Sequence, residues 1–345
     1  MRILLDIHHP KQVHFFRPLI HRWQECGDVV QIVSRDKDIT HHLLELYGMP
    51  YVSLSRQQTG WRSSIELVQR WIRFAGWVRR FRPDIVLSVA GITSAPPSRL
   101  LGVPNIALTD TETATLSNRI SFPFADRILT PEWFNRDFGS RHFRYRGFHE
   151  WGYLNPATFQ PNAKLLQAEG INPDEPYAIV RLVRWGAAHD RSQYGLTARE
   201  ALILVKSLSN RMRVYLSCES LPPEELRPYL LKANVDKIHH LLAFSRLTVG
   251  ESPSMGTEAC LLGVPAILIS SWAGQCGNMQ VLQKFGLMQV YPRGEDGIQA
   301  ALRLADHPPP KEEWDFKRET LTRDLESIPE MLDKHIRILV GHRYG

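Results

Sequence analysis

The sequence lacks the features that mark secreted, disulfide-rich and membrane-spanning proteins. Its four cysteines lie far apart without a C-x-x-C pair, so we expect reduced thiols rather than a disulfide framework or a zinc site. No apolar run approaches the roughly 18 residues of a membrane span. The first apolar run is interrupted at Asp6, before it is long enough for a secretory signal. These absences predict a cytoplasmic globular protein.

Charge is present in modest excess of one sign. The chain of 345 residues has 42 Lys and Arg against 36 Asp and Glu, and the resulting formal net charge of +6 favours an anionic partner. A nucleoside diphosphate, a nucleic acid and an anionic membrane surface all meet that condition. The sequence has no helix-turn-helix, zinc-finger or RRM aromatic motif, so nucleic acid is the least favoured of the three.

Short apolar runs alternate with segments of helical periodicity, and this alternation occurs twice. One series begins with a strand at 2–7 and a helix at 14–25, and the other with a strand at 177–183 and a helix at 197–209. Such alternation indicates parallel sheets, so we predict an α/β protein with two doubly wound domains. Further helices are predicted at 223–232, 255–262 and 311–341. The predicted parts are a first domain at 1–152, a turn-rich linker at 153–176, a second domain at 177–310 and a helical segment at 311–345 that packs back on the first domain.

The strongest local signal runs from Gly250 to Pro265. A strand ends at Gly250, small and hydroxyl residues fill a short loop, and a helix is predicted to begin near Ser254. The free N–H groups of such a helix suit a phosphate, and Glu258 is placed to accept hydrogen bonds from a ribose diol. The alternative is structural, with Ser254 as the helix cap and Glu258 complementing the helix dipole.

At this segment the sequence resembles a known superfamily. The pattern S-x-G-T-E-A-x-x-x-G-x-P, from Ser254 to Pro265, resembles the donor-binding motif of the two-domain glycosyltransferases of the B fold. That superfamily includes the peptidoglycan N-acetylglucosaminyltransferase and the non-hydrolysing UDP-N-acetylglucosamine 2-epimerases. Over nearly its whole length the chain resembles the domain of unknown function 354 family, through segments at 6–16, 109–112, 125–131 and 181–190. The resemblance implies two Rossmann-like domains that face a central cleft.

The resemblance also implies that the second domain holds a sugar nucleotide. Glu258 matches the carboxylate on the ribose, and Asn278 lies where relatives contact the donor sugar or the acceptor. Arg184 follows a strand and could neutralise a phosphate, although a surface ion pair is an equal alternative. His189 is a candidate substrate contact without an assigned role. The implied diphosphate loop consists of Ser254, Met255, Gly256 and Thr257.

The first domain supplies the candidate catalytic residues. His14 resembles the histidine in the first loop of the peptidoglycan transferase and is the preferred base, although the glycine-rich loop of that enzyme is missing here. Asp110 and Glu112 resemble the acidic segment of the epimerases and are the second choice, with capping of the next helix as the alternative. The further aspartate of the epimerases has no counterpart in 88–93, which counts against epimerisation.

Metal and cofactor chemistry is not expected. A metal site at His8, His9 and His14 would need a fourth ligand and a closed geometry, and we do not favour it. A helix N-terminus with Arg184 is a simpler way to stabilise a leaving diphosphate.

A basic segment at 61–82 has two interpretations. It contains six arginines, one acid (Glu66) and many interleaved apolar residues. It could lie on an anionic membrane and present the active site to a lipid-linked acceptor, which would make the protein peripheral at the inner face of the membrane. The alternative, slightly favoured, is a crossover helix buried on the first sheet with a solvated arginine stripe.

The sequence thus predicts a glycosyltransferase that moves a sugar from a nucleoside-diphosphate sugar, with uridine as the first choice of base, to an unknown acceptor. An acceptor used in cell-surface polysaccharide or glycolipid synthesis would fit this expectation. Two alternatives stay open. One is an epimerase or hydrolase that acts on the sugar nucleotide itself, and the other is a non-catalytic protein that binds it.

Overall fold

The computed structural model describes residues 1–183, 195–271 and 273–344. These residues form two compact units. Unit 1 comprises Met1–Tyr153 with Glu326–Gly345, and unit 2 comprises Leu154–Leu325. Each unit contains one parallel sheet with helices packed against it.

The sheet of unit 1 has seven strands in the order β3-β2-β1-β4-β5-β6-β7. Its interior strand β1 contributes four fully buried apolar side chains, and it pairs in parallel with β2 and β4. A continuous apolar run of this kind is typical of a parallel strand that is covered on both faces. The strands are β1 (Arg2–Ile7), β2 (Val29–Asp36), β3 (Tyr51–Arg56), β4 (Ile85–Val89), β5 (Asn105–Leu108), β6 (Arg127–Pro131) and β7 (His142–Tyr145).

The helices of the first 154 residues follow these strands. They are α1 (Pro10–Glu25), α2 (Thr40–Leu46), α3 (Arg62–Phe81), α4 (Ala95–Leu100), α5 (Thr115–Ser121) and α6 (Trp151–Leu154). Among the residues that the structure describes, no helix is both long enough and apolar enough to cross a bilayer.

Helix α1 begins at Pro10, four residues before the predicted start at His14. His9 has extended backbone angles, and its Nδ1 accepts a hydrogen bond from the Lys11 amide at 3.2 Å. Pro10 then occupies the first helical position, where its missing N–H costs nothing. His14 therefore lies inside the helix rather than at its start, and Lys11 lies in the first turn.

The sheet of unit 2 has five strands in the order β12-β11-β10-β8-β9. The central strand β10 ends at Gly250, where a side-chain carbon would lie 2.1 Å from the Arg181 carbonyl oxygen, so only glycine fits there. The strands are β8 (Tyr177–Leu182), β9 (Arg213–Cys218), β10 (Leu247–Gly250), β11 (Ala266–Ile269) and β12 (Met288–Tyr291). The helices are α7 (Ala163–Ala168), α8 (Ala198–Ser209), α9 (Ile238–Phe244), α10 (Pro253–Leu261), α11 (Gly277–Lys284), α12 (Gly294–Asp306) and α13 (Lys311–Thr322).

Two predicted helices differ from the structure. The segment 223–232 forms only a short 3-10 helix at Glu224–Tyr229, because Pro223 and Pro228 remove amides that an α-helix would use. The stretch 311–341 is divided into α13, in unit 2, and a separate helix α14 (Ile328–Tyr344), in unit 1.

Helix α14 packs against the first helix of the chain. Its residues Leu332 and Ile336 are fully buried. The carboxylate of Asp333 accepts hydrogen bonds from the Trp23 indole at 3.0 Å and from Arg22 at 3.2 Å. The core of unit 1 therefore includes a segment that follows unit 2 in the chain.

Candidate functional site

The carboxyl edge of the sheet in unit 1 carries a cluster of charged residues, which we call the charged cluster. Lys11 lies in the first turn of α1, Asp110 is the second residue after β5, and His149 and Glu150 follow β7. The strands β1, β5 and β7 are parallel, so the segments that follow them meet at one edge of the sheet. This is the edge at which ligands bind in open α/β sheets.

Lys11 lies between the two carboxylates of the charged cluster. Its Nζ is 2.5 Å from Asp110 Oδ2 and 2.8 Å from Glu150 Oε1. The Nδ1 atom of His149 is 3.4 Å from the same Asp110 oxygen, and the Thr111 hydroxyl donates to the other oxygen at 3.1 Å. The side chains of Glu150 and His149 are buried, while Lys11 keeps 17% of its surface exposed.

Burial and pairing shift the pKa values of the two carboxyl groups in opposite directions. Burial would raise the pKa of Asp110, but attraction to Lys11 outweighs it and holds that pKa well below its usual range. Burial raises the pKa of Glu150, and repulsion from Asp110 adds to the increase despite the contact with Lys11. Two carboxyl groups with separated proton affinities are the arrangement that acid–base catalysis uses.

Burial and charge pairing also shift the pKa values of His149 and Lys11, the other members of the charged cluster. Burial lowers the pKa of His149 to about 4, so its imidazole is neutral at pH 7. The pKa of Lys11 is raised, because its attraction to the two carboxylates exceeds the cost of burial. Within the described part of the chain, Glu150 Oε2 and His149 Nε2 are buried without a hydrogen-bond partner. Buried polar atoms without a partner are uncommon in folded proteins, and each one needs an explanation.

The predicted residues of unit 1 are placed differently from one another. Asp110 belongs to the charged cluster. His14 is half-buried, with its Nδ1 at 3.2 Å from the Tyr47 hydroxyl and its ring 5.8 Å from that of Tyr153. Glu112 is buried in the loop after β5. The structural alternative for the two acids is not observed, since α5 has Ala114 at its N-cap and no side-chain capping bond.

In unit 2 the start of α10 differs in detail from the prediction. Ser252, rather than Ser254, is the N-cap, and its hydroxyl accepts a hydrogen bond from the Met255 amide at 3.4 Å. Pro253 occupies the first helical position. Ser254 is therefore the second residue of the helix, and the structural alternative in which it caps the helix is not observed.

The remaining residues of the predicted diphosphate loop lie within α10. The Thr257 hydroxyl donates to the Pro253 carbonyl oxygen at 3.0 Å. At Gly256, a side-chain carbon would approach Met288 Cε to 2.9 Å, so the glycine lets the helix pack closely on β12. Glu258 is buried, with Oε1 at 3.2 Å from His239 Nε2 of α9. This contact fixes one carboxylate oxygen of Glu258 in place.

Two further polar residues of unit 2 lie at the same edge of the sheet. Asn278 is buried at the second position of α11, which follows β11, the neighbour of β10. Glu251, which the sequence analysis did not single out, accepts hydrogen bonds from the amides of Val183 at 2.8 Å and Leu196 at 2.6 Å. Burial raises the pKa of Glu251. The predicted contacts Arg184 and His189 lie outside the described residues.

The described residues contain no group of three or more His, Cys, Asp or Glu side chains that could hold a metal ion. The three histidines at 8, 9 and 14 are used in other ways. Burial lowers the pKa of His9 to about 4, and His8 Nδ1 lies 3.7 Å from Asp6.

The sequence matches one family model along most of its length. The model of the DUF354 family, described as a protein of unknown function, matches residues 1–281. The chain belongs to the DUF354 family. An uncharacterized protein of Methanocaldococcus jannaschii, MJ0665, is 21% identical over 276 residues, which cover 77% of this chain and 80% of that protein.

Solved structures with a similar fold include both epimerases and glycosyltransferases. The UDP-GlcNAc 2-epimerase of Neisseria meningitidis, solved with UDP-GlcNAc, matches with a TM-score of 0.69 at 11% identity over 100% of both chains. The glycosyltransferase VinC, solved with dTDP, matches with a TM-score of 0.62 at 14% identity, over 99% of this DUF354 chain and 100% of VinC. The predicted fold class, two Rossmann-like units of the glycosyltransferase B type, is confirmed. At these identities the likeness extends to the fold alone.

Proposed function

We propose that the chain is an enzyme that transfers a sugar from a nucleoside-diphosphate sugar to an acceptor. The observation that carries the proposal is the β10–α10 segment of unit 2, where a helix begins shortly after the central strand and a buried glutamate, Glu258, lies in the second turn of that helix. Solved proteins of the same fold bind UDP-GlcNAc and dTDP, which supports a uridine or thymidine diphosphate as the donor nucleotide.

Unit 2 would hold the donor. The first amides of α10 would donate hydrogen bonds to the diphosphate, because the first turn of a helix has unpaired N–H groups and the positive end of the dipole. Glu258, held by His239, would accept hydrogen bonds from the ribose diol. Asn278 would contact the sugar or the acceptor. Arg184 and His189 stay predictions for the phosphate and for a substrate contact.

Unit 1 would supply the groups that move the proton. As the acceptor oxygen attacks the anomeric carbon, its proton must pass to a base while the bond from that carbon to the diphosphate breaks. His14 is the first candidate, since histidine is the side chain whose ordinary pKa lies closest to neutral pH. Asp110, held ionised by Lys11, would orient the acceptor hydroxyl, and Glu112 stays a second candidate for that role.

Binding is tested first by calorimetry with UDP and UDP-GlcNAc. We expect Glu258→Ala to weaken binding about 30-fold, since a hydrogen bond to a charged group contributes about 2 kcal/mol. Glu295→Ala is the matched control, because Glu295 is an exposed glutamate at the start of α12. An absence of heat with UDP, dTDP and their sugars, using folded protein, would remove the basis of the proposal.

A second candidate is epimerisation of the sugar nucleotide itself. The opposite pKa shifts of Asp110 and Glu150 favour it, because proton removal and return at a sugar carbon need one basic and one acidic group. Incubation with UDP-GlcNAc alone separates the two functions by NMR. A new sugar epimer without an acceptor would identify an epimerase, whereas turnover only with an added acceptor would identify a transferase. Binding without any turnover, unaffected by His14→Ala, would indicate a non-catalytic protein.

A further inference from the structure

Helix α3 has an inner face that accounts for its attachment to unit 1. Phe74, Val78 and Phe81 are buried in a cluster with Leu4 and Val86 of the sheet. This attachment does not account for the residues on the outer face of the twenty-residue helix.

The acid of α3 is directed inward. Glu66 is 2% exposed and accepts hydrogen bonds from Arg35 through both its oxygens at 2.7 Å. Ser55 and the Gln58 amide donate to the same carboxylate at 2.7 and 2.8 Å. Burial would raise the pKa of Glu66, but these hydrogen bonds outweigh it and lower the pKa to about 2. The negative charge is therefore neutralised inside unit 1 and does not reach the outer face.

The outer face carries a row of apolar side chains at helical spacing. The row consists of Trp61, Ile65, Val68 and Ile72, which are 72%, 47%, 49% and 68% exposed. Steps of four, three and four residues place them along one line of the helix. Single exposed apolar residues are ordinary on protein surfaces, but a contiguous row of large ones marks an interaction site.

Arginines flank this row. Exposed arginines occupy positions 62, 79 and 80 of this face, whereas the guanidinium of Arg73 donates to the Leu54 carbonyl oxygen of β3. Arg62 lies over the Trp61 ring at 5.8 Å, and Arg80 lies over the Trp77 ring at 5.2 Å. The helix spans about 30 Å at 1.5 Å per residue, so apolar and positive groups share a long, narrow strip. We call this strip, comprising Trp61, Arg62, Ile65, Val68, Ile72, Arg79 and Arg80, the α3 surface.

We propose that the α3 surface docks on the headgroup region of an anionic lipid membrane. Its aliphatic side chains suit the boundary of the acyl chains, its tryptophan suits the interface, and its arginines suit anionic headgroups. A second copy of the chain is a poorer occupant, because self-association would place arginines against arginines. A nucleic acid would match the charge but would leave Ile65, Val68 and Ile72 without apolar partners.

The proposal is tested by co-sedimentation with phosphatidylcholine vesicles that either contain or lack phosphatidylglycerol. We expect binding to the anionic vesicles only, and we expect it to weaken with rising salt. The double variant Ile65→Ser/Ile72→Ser should weaken binding at least about tenfold. Arg79→Gln/Arg80→Gln should weaken it about 30-fold, from the contribution of each arginine near an anionic surface.

Matched controls exist elsewhere on the chain. Leu221 is 69% exposed in unit 2, and Arg303 is exposed on α12, so Leu221→Ser and Arg303→Gln should leave binding unchanged. All the substituted side chains are exposed, and unchanged melting temperatures would verify folding. Equal binding by variants and wild type, or no binding to anionic vesicles, would overturn the proposal. So would dimerisation that is lost in Ile72→Asp, or retention on RNA in place of vesicles. The assay needs no turnover, so its outcome is independent of the proposed transfer reaction.

Discussion

In unit 1 the carboxyl edge of the sheet carries Lys11 between the buried carboxylates of Asp110 and Glu150. In unit 2 the corresponding edge carries the start of α10, several small residues, and Glu251, which is held by backbone amides. In the first arrangement the buried charges stabilise one another, so the removal of one charge leaves its partners uncompensated in the interior. The second combines the dipole at the start of α10 with a single carboxylate that accepts hydrogen bonds from main-chain amides. This difference is the basis for the proposal that unit 1 moves a proton and unit 2 holds the diphosphate.

The largest effect is expected for Lys11, whose charge lies next to two buried carboxyl groups. Lys11→Met leaves Asp110 and Glu150 buried together without a cation, which should cost about 3–5 kcal/mol of the stability of unit 1. Hydrogen exchange at the amides of α1 and β5 measures that loss. Lys37→Met is the matched control, because Lys37 forms a partly exposed pair with Asp38 and should cost less than about 1 kcal/mol. Equal effects of the two variants would show that the charged cluster is not an interdependent unit.

The next largest effect is expected from lowering the pH, which should act on the stability of unit 1 through its buried histidines. His149, His9 and His335 all lie in unit 1, and burial lowers the pKa of each to about 4. The unfolded chain binds protons at these sites first, since its histidines have a pKa near 6.5. The contribution of these histidines to the stability of unit 1 should therefore fall as the pH decreases from 6.5 towards 4, by up to roughly 3 kcal/mol for the fully buried His149. Glu150 acts in the opposite direction, because its pKa is raised to about 7 in the folded protein and its protonation stabilises unit 1 as the pH falls.

The measurement for this prediction is hydrogen exchange of both units as a function of pH. His149→Asn should flatten the dependence in unit 1 and leave unit 2 unchanged. Parallel profiles of the wild type and His149→Asn between pH 6.5 and 4 would contradict the prediction.

A smaller effect is expected for the carboxylate that backbone amides hold in unit 2. Glu251→Gln turns one acceptor into a donor that faces an amide of Val183 or Leu196, which should cost about 2 kcal/mol. Exchange rates at these two amides report the change directly. Glu219→Gln, at an exposed residue paired with Arg181, should alter them little. Unchanged protection of Val183 and Leu196 in Glu251→Gln would show that the amides do not depend on this carboxylate.

Strands such as β1 and β8 were predictable because each is a short, nearly continuous apolar run, which depends only on neighbouring residues. The edge strands β3 and β7 were not predicted, because half or more of their side chains are polar or only partly buried. The charged cluster was only partly predictable. Asp110 was identified because it follows a predicted strand, but its partner Lys11 lies 99 positions away in the chain. The available signal was a pair of opposite charges, each directly after a predicted parallel strand. Glu150 follows a short edge strand and a turn, where no local pattern marks it.

The start of α1 is marked by a local sequence signal. Proline is favoured at the first helical position, and His9-Pro10 therefore indicated a helix start four residues earlier than predicted. Spatial pairings across the sheet, by contrast, depend on strand order, which the sequence does not display.

The return of α14 to unit 1 has a consequence for biosynthesis. A ribosome completes all of unit 2 before it produces the residues that cover Trp23 and fill the core with Leu332 and Ile336. The half of the protein that emerges first is therefore the last to be finished. Until then its nascent core stays open to chaperones and proteases, and the loss of the final helix would harm the beginning of the chain rather than the middle.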